Sequence, residues 1–295
     1  MFRNLRFYRL ESPWPATEEE LSANLSTAGF EPCGPLTERS SGFVPVYPDA
    51  GDSYSRRLNG ADLMRLRSQS RVLPAAAIAE ELALRIDDYR QRMGEEPNAR
   101  EKRRLKAETR DELMTRALLK SDHIGGYVDI KEKILVIDSA GEPNADRFLR
   151  RLKAAFGDIK VHPLGFQQPV ETLLRRIFLG DAPGQFMLGR ECRMQDAAEP
   201  RSRVRWTDFD LETTSIRNHV AQGMRLTHVA LVYDNILSCV LDEEGVVTKL
   251  KFVGADDDTD DEHDPIARFD AGFALASGTI RNLLGDLKNL LGGYA

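Results

Sequence analysis

The dipeptide Asn59-Gly60, set between two alternating stretches, is the tightest constraint in this chain: it is the residue pair of a two-residue hairpin turn, and such a turn fixes the register of the strands it joins. On the second strand, within ADLMRLRSQSR (61–71), Arg65, Arg67 and Arg71 fall at even spacing and share one face. PRSRVRW (200–206) repeats the pattern with Arg201, Arg203 and Arg205. A row of like charges on a sheet costs repulsion unless something negative lies across it. Two readings stay open: a solvated face paired with nearby carboxylates, or a surface for a polyanion such as a nucleic-acid backbone.

With 295 residues, 41% hydrophobic and 30% charged, the chain can bury a sizeable core and divides into two or three substructures. No apolar run approaches the roughly 20 residues that span a bilayer. The start, MFRNLRFYRLES, lacks the apolar stretch of a signal peptide, so a cytoplasmic location without a membrane partner is expected. Cys33, Cys192 and Cys239 are odd in number and far apart, which predicts reduced, buried thiols rather than a disulfide framework or a zinc site. The net charge of −6 is misleading. Seven of the 47 acidic residues lie in DDDTDDEHD (256–264); without them 40 acids stand against 41 bases. That run reads as a solvated loop, with calcium binding or guarding of a basic channel as alternatives, although it lacks an EF-hand's spaced ligands.

The pattern along the chain is mixed. Strands are predicted at 4–10 and 42–46, with a capping box of Thr17 and Glu20 opening a helix that ends near Gly29. Residues 75–120 read as a helical hairpin broken at GEEPN (94–98). Its second arm holds Arg100, Lys102, Arg103, Arg104, Lys106 and Arg110 against Glu101 and Glu108, a surplus of four that fits either a solvated helix or phosphate contact. A second hairpin (127–130 with 134–138), an amphipathic helix with Phe148, Leu149, Leu152 and Phe156 inward, a strand at 159–164 and a helix at 170–179 follow. A helix at 213–222, a meander of strands at 225–233, 236–241 and 246–253, and two helical pieces over 265–291 finish the chain. Strands and helices come in groups rather than in strict alternation, so the class is α+β. The expected units are 1–74, an N-terminal α+β subdomain; 75–120, the helical arm; and 121–295, an α+β body.

Nucleotide hydrolysis, serine hydrolysis and zincin chemistry have no local signature here. The five histidines show no ligand spacing. One catalytic reading is carried as an alternative, a metal-dependent nuclease in which Asp111 or Asp122 joins Asp129 and Lys131 around Mg²⁺. A protein-binding regulator without DNA affinity, using the acidic run and the arm, is the other.

Taken in order, NLRFYRL, AGFEPCG, GFVPV, the NG hairpin followed by VLP, LMTRALLKSDHIGGYVDI, PGQFMLGREC, the DL and NHV elements of 210–223, KLKF and ARFDAGFALASG resemble one family, the recombination-associated protein RdgC of proteobacteria. The resemblance runs almost end to end. It implies a horseshoe-shaped subunit with antiparallel sheets and a protruding helical arm. It further implies a ring-shaped homodimer that encircles double-stranded DNA without sequence preference, lies on the nucleoid, and restrains a RecA-type recombinase through shared DNA while acting in replication-fork repair. Binding without catalysis, cofactor or small-molecule substrate is the implied activity.

By that resemblance the basic contacts are Arg67, Arg71, Arg116, Arg205, Lys249 and Lys251. Charge placement alone adds Arg65, Arg203, Lys102, Arg103, Arg104 and Lys106. Thr115 and Leu118 stand where relatives commonly carry a proline and an aromatic residue at a subunit contact, and Trp206-Thr207-Asp208-Phe209 replaces a lysine-rich stretch.

Overall fold

The computed structural model describes residues 2–47, 51, 53–199, 201–254 and 264–295. In chain order the first elements are β1 (Arg6–Leu10), α1 (Glu18–Thr27), β2 (Arg39–Val44), β3 (Ser55–Leu58), β4 (Ala61–Val72), α2 (Ala75–Met93) and α3 (Ala99–Arg116). β5 (Leu118–Asp129), β6 (Ile134–Ile137), α4 (Glu142–Phe156), β7 (Val161–Pro163) and α5 (Val170–Leu179) follow. The last third holds β8 (Phe186–Asp196), β9 (Arg203–Thr207), α6 (Thr214–Ala221), β10 (Met224–Tyr233), β11 (Leu237–Asp242), β12 (Val247–Phe252) and α7 (Pro265–Leu290). The fold is α+β with two antiparallel sheets.

The first sheet is organised by β4. Asn59 and Gly60 take φ of 50° and 72°, the left-handed pair that lets β3 fold straight back on β4. β3 and β2 then share one edge of β4, while β5 pairs along all 12 of its residues, from Ala61 opposite Asp129 to Val72 opposite Leu118. β6, β1 and β7 complete the sheet. The ladder of β4 and β5 is about 40 Å long at ~3.3 Å per residue. Only one half of it is core: β5 is exposed from Leu118 to His123 and buried from Gly126 to Asp129. The ribbon therefore runs out of the body, and α2 and α3 connect its two strands at the far end. α2 has no buried residue, which marks the helix pair as a protruding arm.

One face of this sheet carries Met64, Leu66, Val128 and Leu135 against α1 and α4, with Phe43 and Phe148 edge to face at 5.6 Å. Gly42 is obligatory there, since a Cβ would stand 2.3 Å from the Gly29 carbonyl oxygen. Buried Asp62 is satisfied by a two-pronged pair with Arg57 at 2.7 and 2.8 Å and by the Trp14 indole N–H at 2.6 Å. The other face, with Ala61, Leu63, Tyr127 and Val136, enters a larger core shared with α5, α6, α7 and the inner side of the second sheet. That sheet runs β12-β11-β10-β8-β9. Leu5 exchanges backbone hydrogen bonds with Val247, tying β12 to the lead into β1.

Several expectations are met and a few are corrected. All three cysteines are free and buried, and burial pushes the Cys192 and Cys239 thiols up to about 12. Thr17 caps α1 through the Glu20 N–H, but the Glu20 carboxylate reaches Ala16 rather than Thr17. The helical hairpin ends at Arg116; 118–120 already belong to β5, whose outer half is exposed on both faces and so carries no apolar alternation. The two expected C-terminal helical pieces are one continuous 26-residue α7. Burial of Phe273, Ala276, Ser277, Ile280, Leu283, Leu284 and Leu287 outweighs the three glycines inside it. The acidic run 256–264 lies outside the described residues except for Asp264, whose carboxylate caps α7. No helix among the described residues is long and apolar enough to cross a membrane.

Candidate nucleic-acid interface

The outer face of the second sheet gathers Arg193, Arg203, Arg205, Lys249 and Lys251. Arg193 on β8 stands opposite Arg205 on β9 and opposite His228 on β10, so all three share that face. Arg203 lies two residues from Arg205. On β12 strict alternation would turn Leu250 outward, yet both Val247 and Leu250 are buried. The register shift between Ser238 and Val240, with Lys249 at φ 54°, absorbs one residue and turns Lys249 and Lys251 to the outside.

Glu191 sits under these groups, its side chain only 15% exposed. It accepts from Arg205 at 2.7 Å and pairs with Lys249. Burial raises its carboxyl pKa, and Lys249 and Arg205 together outweigh that and hold it below the ordinary value. Lys249 and Glu191 lie on strands three apart in the sheet, and each stands at a register shift, Lys249 against β11 and Glu191 against β10, from which their side chains meet on the outer face. Burial, then Arg193 and Arg205, push the His228 pKa down against the pull of Glu191. Arg203, Lys251 and Arg193 form no ion pair among the described residues.

The row on β4 behaves differently along its length. Arg65 makes no hydrogen bond or ion pair with a described residue and stands opposite Gly125. Arg67 stacks its guanidinium 4.6 Å from the Phe30 ring and donates to Ser121 at 3.2 Å. Arg71 is spent on structure. Its Nη1 donates to the Met114 and Ala117 carbonyls at 2.9 and 3.3 Å, closing the C-terminal end of α3, and its Nη2 donates to Gly34 at 2.9 Å. His123, opposite Arg67, has its pKa lowered by burial and then by Arg65 and Arg67.

On the arm, Lys102 pairs with Glu96 at 3.7 Å, Arg104 with Glu108 at 3.5 Å and Arg116 with Glu112 at 3.2 Å, all exposed pairs that stabilise little. Arg103 and Lys106 have no such partner among the described residues. Lys106 lines a cavity of about 610 Å³ at the root of the arm with Arg39, Arg71 and Arg110, where Arg110 pairs with Glu38. Thr115 is exposed and donates to the Glu112 carbonyl, and Leu118 is 78% exposed beside Val72.

The structure does not merge the two strand rows. The β4 row lies on the sheet face that continues into the larger core, whereas the cations of β8, β9 and β12 lie on the side of their sheet turned away from it. Arg193 is the cation of this face that sequence reading missed, because β8 itself was not recognised: its register shifts break the alternation of FMLGRECRMQD. Arg190 and Arg193 flanking Glu191 were the available signal.

The acidic residues proposed for a nuclease are placed apart. Asp129 is buried; Oδ1 accepts the Lys131 and Glu132 N–H groups and Oδ2 pairs with Arg281. Asp122 lies seven residues away on the opposite face of β5, about 23 Å along the strand, and pairs with Lys120. Asp111 is an exposed residue of α3.

Residues 1–294 match a protein family described as "RdgC: Putative exonuclease, RdgC". Three similar proteins each carry the name "Recombination-associated protein RdgC". That of Aeromonas hydrophila is 29% identical over 99% of this chain and 98% of its own. That of Edwardsiella ictaluri gives the same identity and coverage, and that of Stenotrophomonas maltophilia is 29% identical over 96% of this chain and 95% of its own.

Proposed function

This chain belongs to the RdgC family, and from that premise we propose that it binds double-stranded DNA through phosphate contacts without reading base sequence, as a ring-shaped homodimer acting in recombination. The observation that carries the reading is the outer face of the second sheet, where Arg193, Arg203, Arg205, Lys249 and Lys251 gather around the carboxylate of Glu191. Flexible ammonium and guanidinium groups there neutralise phosphates and release counterions, an affinity that depends steeply on salt and little on sequence. Arg65 and Arg67 supply a second contact region on the ribbon, and Lys106 and Arg103 extend it along the arm. The exposed apolar pair Val72 and Leu118, with Thr115 beside it, supplies a subunit contact at the arm's root. Enclosure of the duplex lets such a dimer slide and obstruct a RecA-type recombinase filament by occupying its DNA.

The test is a gel shift with linear and covalently closed duplexes across a salt series, with and without Mg²⁺. Salt-sensitive binding that leaves both substrates intact supports the reading. Cleavage with Mg²⁺ that is lost in Asp129→Ala, or no duplex affinity at low salt, refutes it.

A further inference from the structure

A cavity of about 590 Å³ opens beside the β4 row, between the first sheet and the start of α7, within the roughly 300–1,000 Å³ of small-ligand sites. Its lining divides in two. Phe2, Leu63 and Phe269 form an apolar slot, and Arg65, His123 and Arg268 bring cationic or protonatable groups to its rim. Asp138 is the one acid in the lining among the described residues, and its Oδ1 is taken by the Arg3 and Asn4 N–H groups at 3.0 and 2.8 Å. Arg65 has no hydrogen-bond or ion-pair partner among the described residues, and Gly125 of β5 and Gly272 of α7 add backbone without a side chain to the lining.

An apolar slot ending in an arginine and a histidine matches a flat heteroaromatic ring joined to a phosphate. We propose that this cavity takes one nucleoside monophosphate unit, base in the slot and phosphate on Arg65 and His123. The unit comes either from an unpaired nucleotide in DNA or from a free nucleotide. The first source rests on the DNA reading above and gives the protein a preference for interrupted over fully paired duplex.

The blocking variant is Gly272→Leu. A Cβ at Gly272 meets nothing within 4 Å, so a larger side chain can start from this lining position, and it replaces a helix-weakening glycine. The full-length protein is titrated by fluorescence anisotropy against a fully paired duplex and the same duplex with one unpaired nucleotide, and by calorimetry against dAMP. The expected result is about tenfold tighter binding of the interrupted duplex, from one stacked base, lost in Gly272→Leu while affinity for the paired duplex is kept. Saturable dAMP binding that Gly272→Leu abolishes, without a duplex preference, supports the site with the free nucleotide as its source. dAMP binding with no duplex binding refutes the DNA reading and leaves the pocket standing. Equal affinity for both duplexes with no dAMP binding overturns the pocket alone, as does a Gly272→Leu protein that keeps the preference.

Discussion

Replacing Glu191 by glutamine should strengthen DNA binding. Its carboxylate holds both Arg205 and Lys249 among the cations of the outer face, so it competes directly with phosphate. Glutamine keeps the shape and an acceptor but releases both cations. Each phosphate newly neutralised steepens the dependence of log affinity on log salt by about 0.9, so two steepen it by up to ~1.8 and tighten binding up to roughly 60-fold at 0.1 M salt. The same change leaves Arg193 and Arg205 facing each other without an intervening charge, and should cost about 1–2 kcal/mol of folding stability. Because the Glu191 carboxyl pKa is lowered in the fold, that stabilisation is present above the ordinary carboxylate value and lost as pH falls through the depressed one. The assay is fluorescence anisotropy of a labelled duplex with wild type and Glu191→Gln at four salt concentrations, with a melting curve of each protein. Equal or weaker affinity at an unchanged slope would refute the reasoning.

Arg71→Ala should lower stability by roughly 2–3 kcal/mol, since three carbonyls at the arm's root lose a charged donor, and should leave the salt slope of DNA binding unchanged; melting and anisotropy read the two effects. His123 and His228 both have lowered pKa values, and phosphate nearby would raise them, so binding should take up protons and tighten by up to ~10-fold per pH unit per histidine as pH falls below about 7. The free protein moves the other way: the stability these neutral histidines contribute is full above the ordinary histidine value and declines as pH falls toward their depressed ones, which a pH series of melting curves tests. Leu118→Glu puts a charge in the proposed subunit contact and should halve the mass measured by light scattering; an unchanged mass removes that contact.

Much of the fold was legible because local signals and tertiary demands agreed. The Asn59-Gly60 turn, the Thr17 cap and the apolar spacing of α4 and α5 each name an element whose burial follows the same period. β8 was illegible because register shifts against β10 break its alternation, and the outer half of β5 because neither of its faces is buried. The basic residues could be listed from sequence, but their employment could not. Arg71 and Arg65 share a strand and a face, yet one closes the end of α3 and the other is without a partner among the described residues, a difference set by carbonyls over 40 residues away in sequence.

The most direct test of the account is the salt dependence of duplex binding by Arg65→Ala/Arg203→Ala/Lys251→Ala, three of the cations that have no ion pair among the described residues. The slope of log affinity against log salt should fall by about 2.7 from wild type, equally for unrelated sequences. A slope identical to wild type in the triple variant, or a wild-type protein that does not hold duplex DNA at low salt, would contradict it.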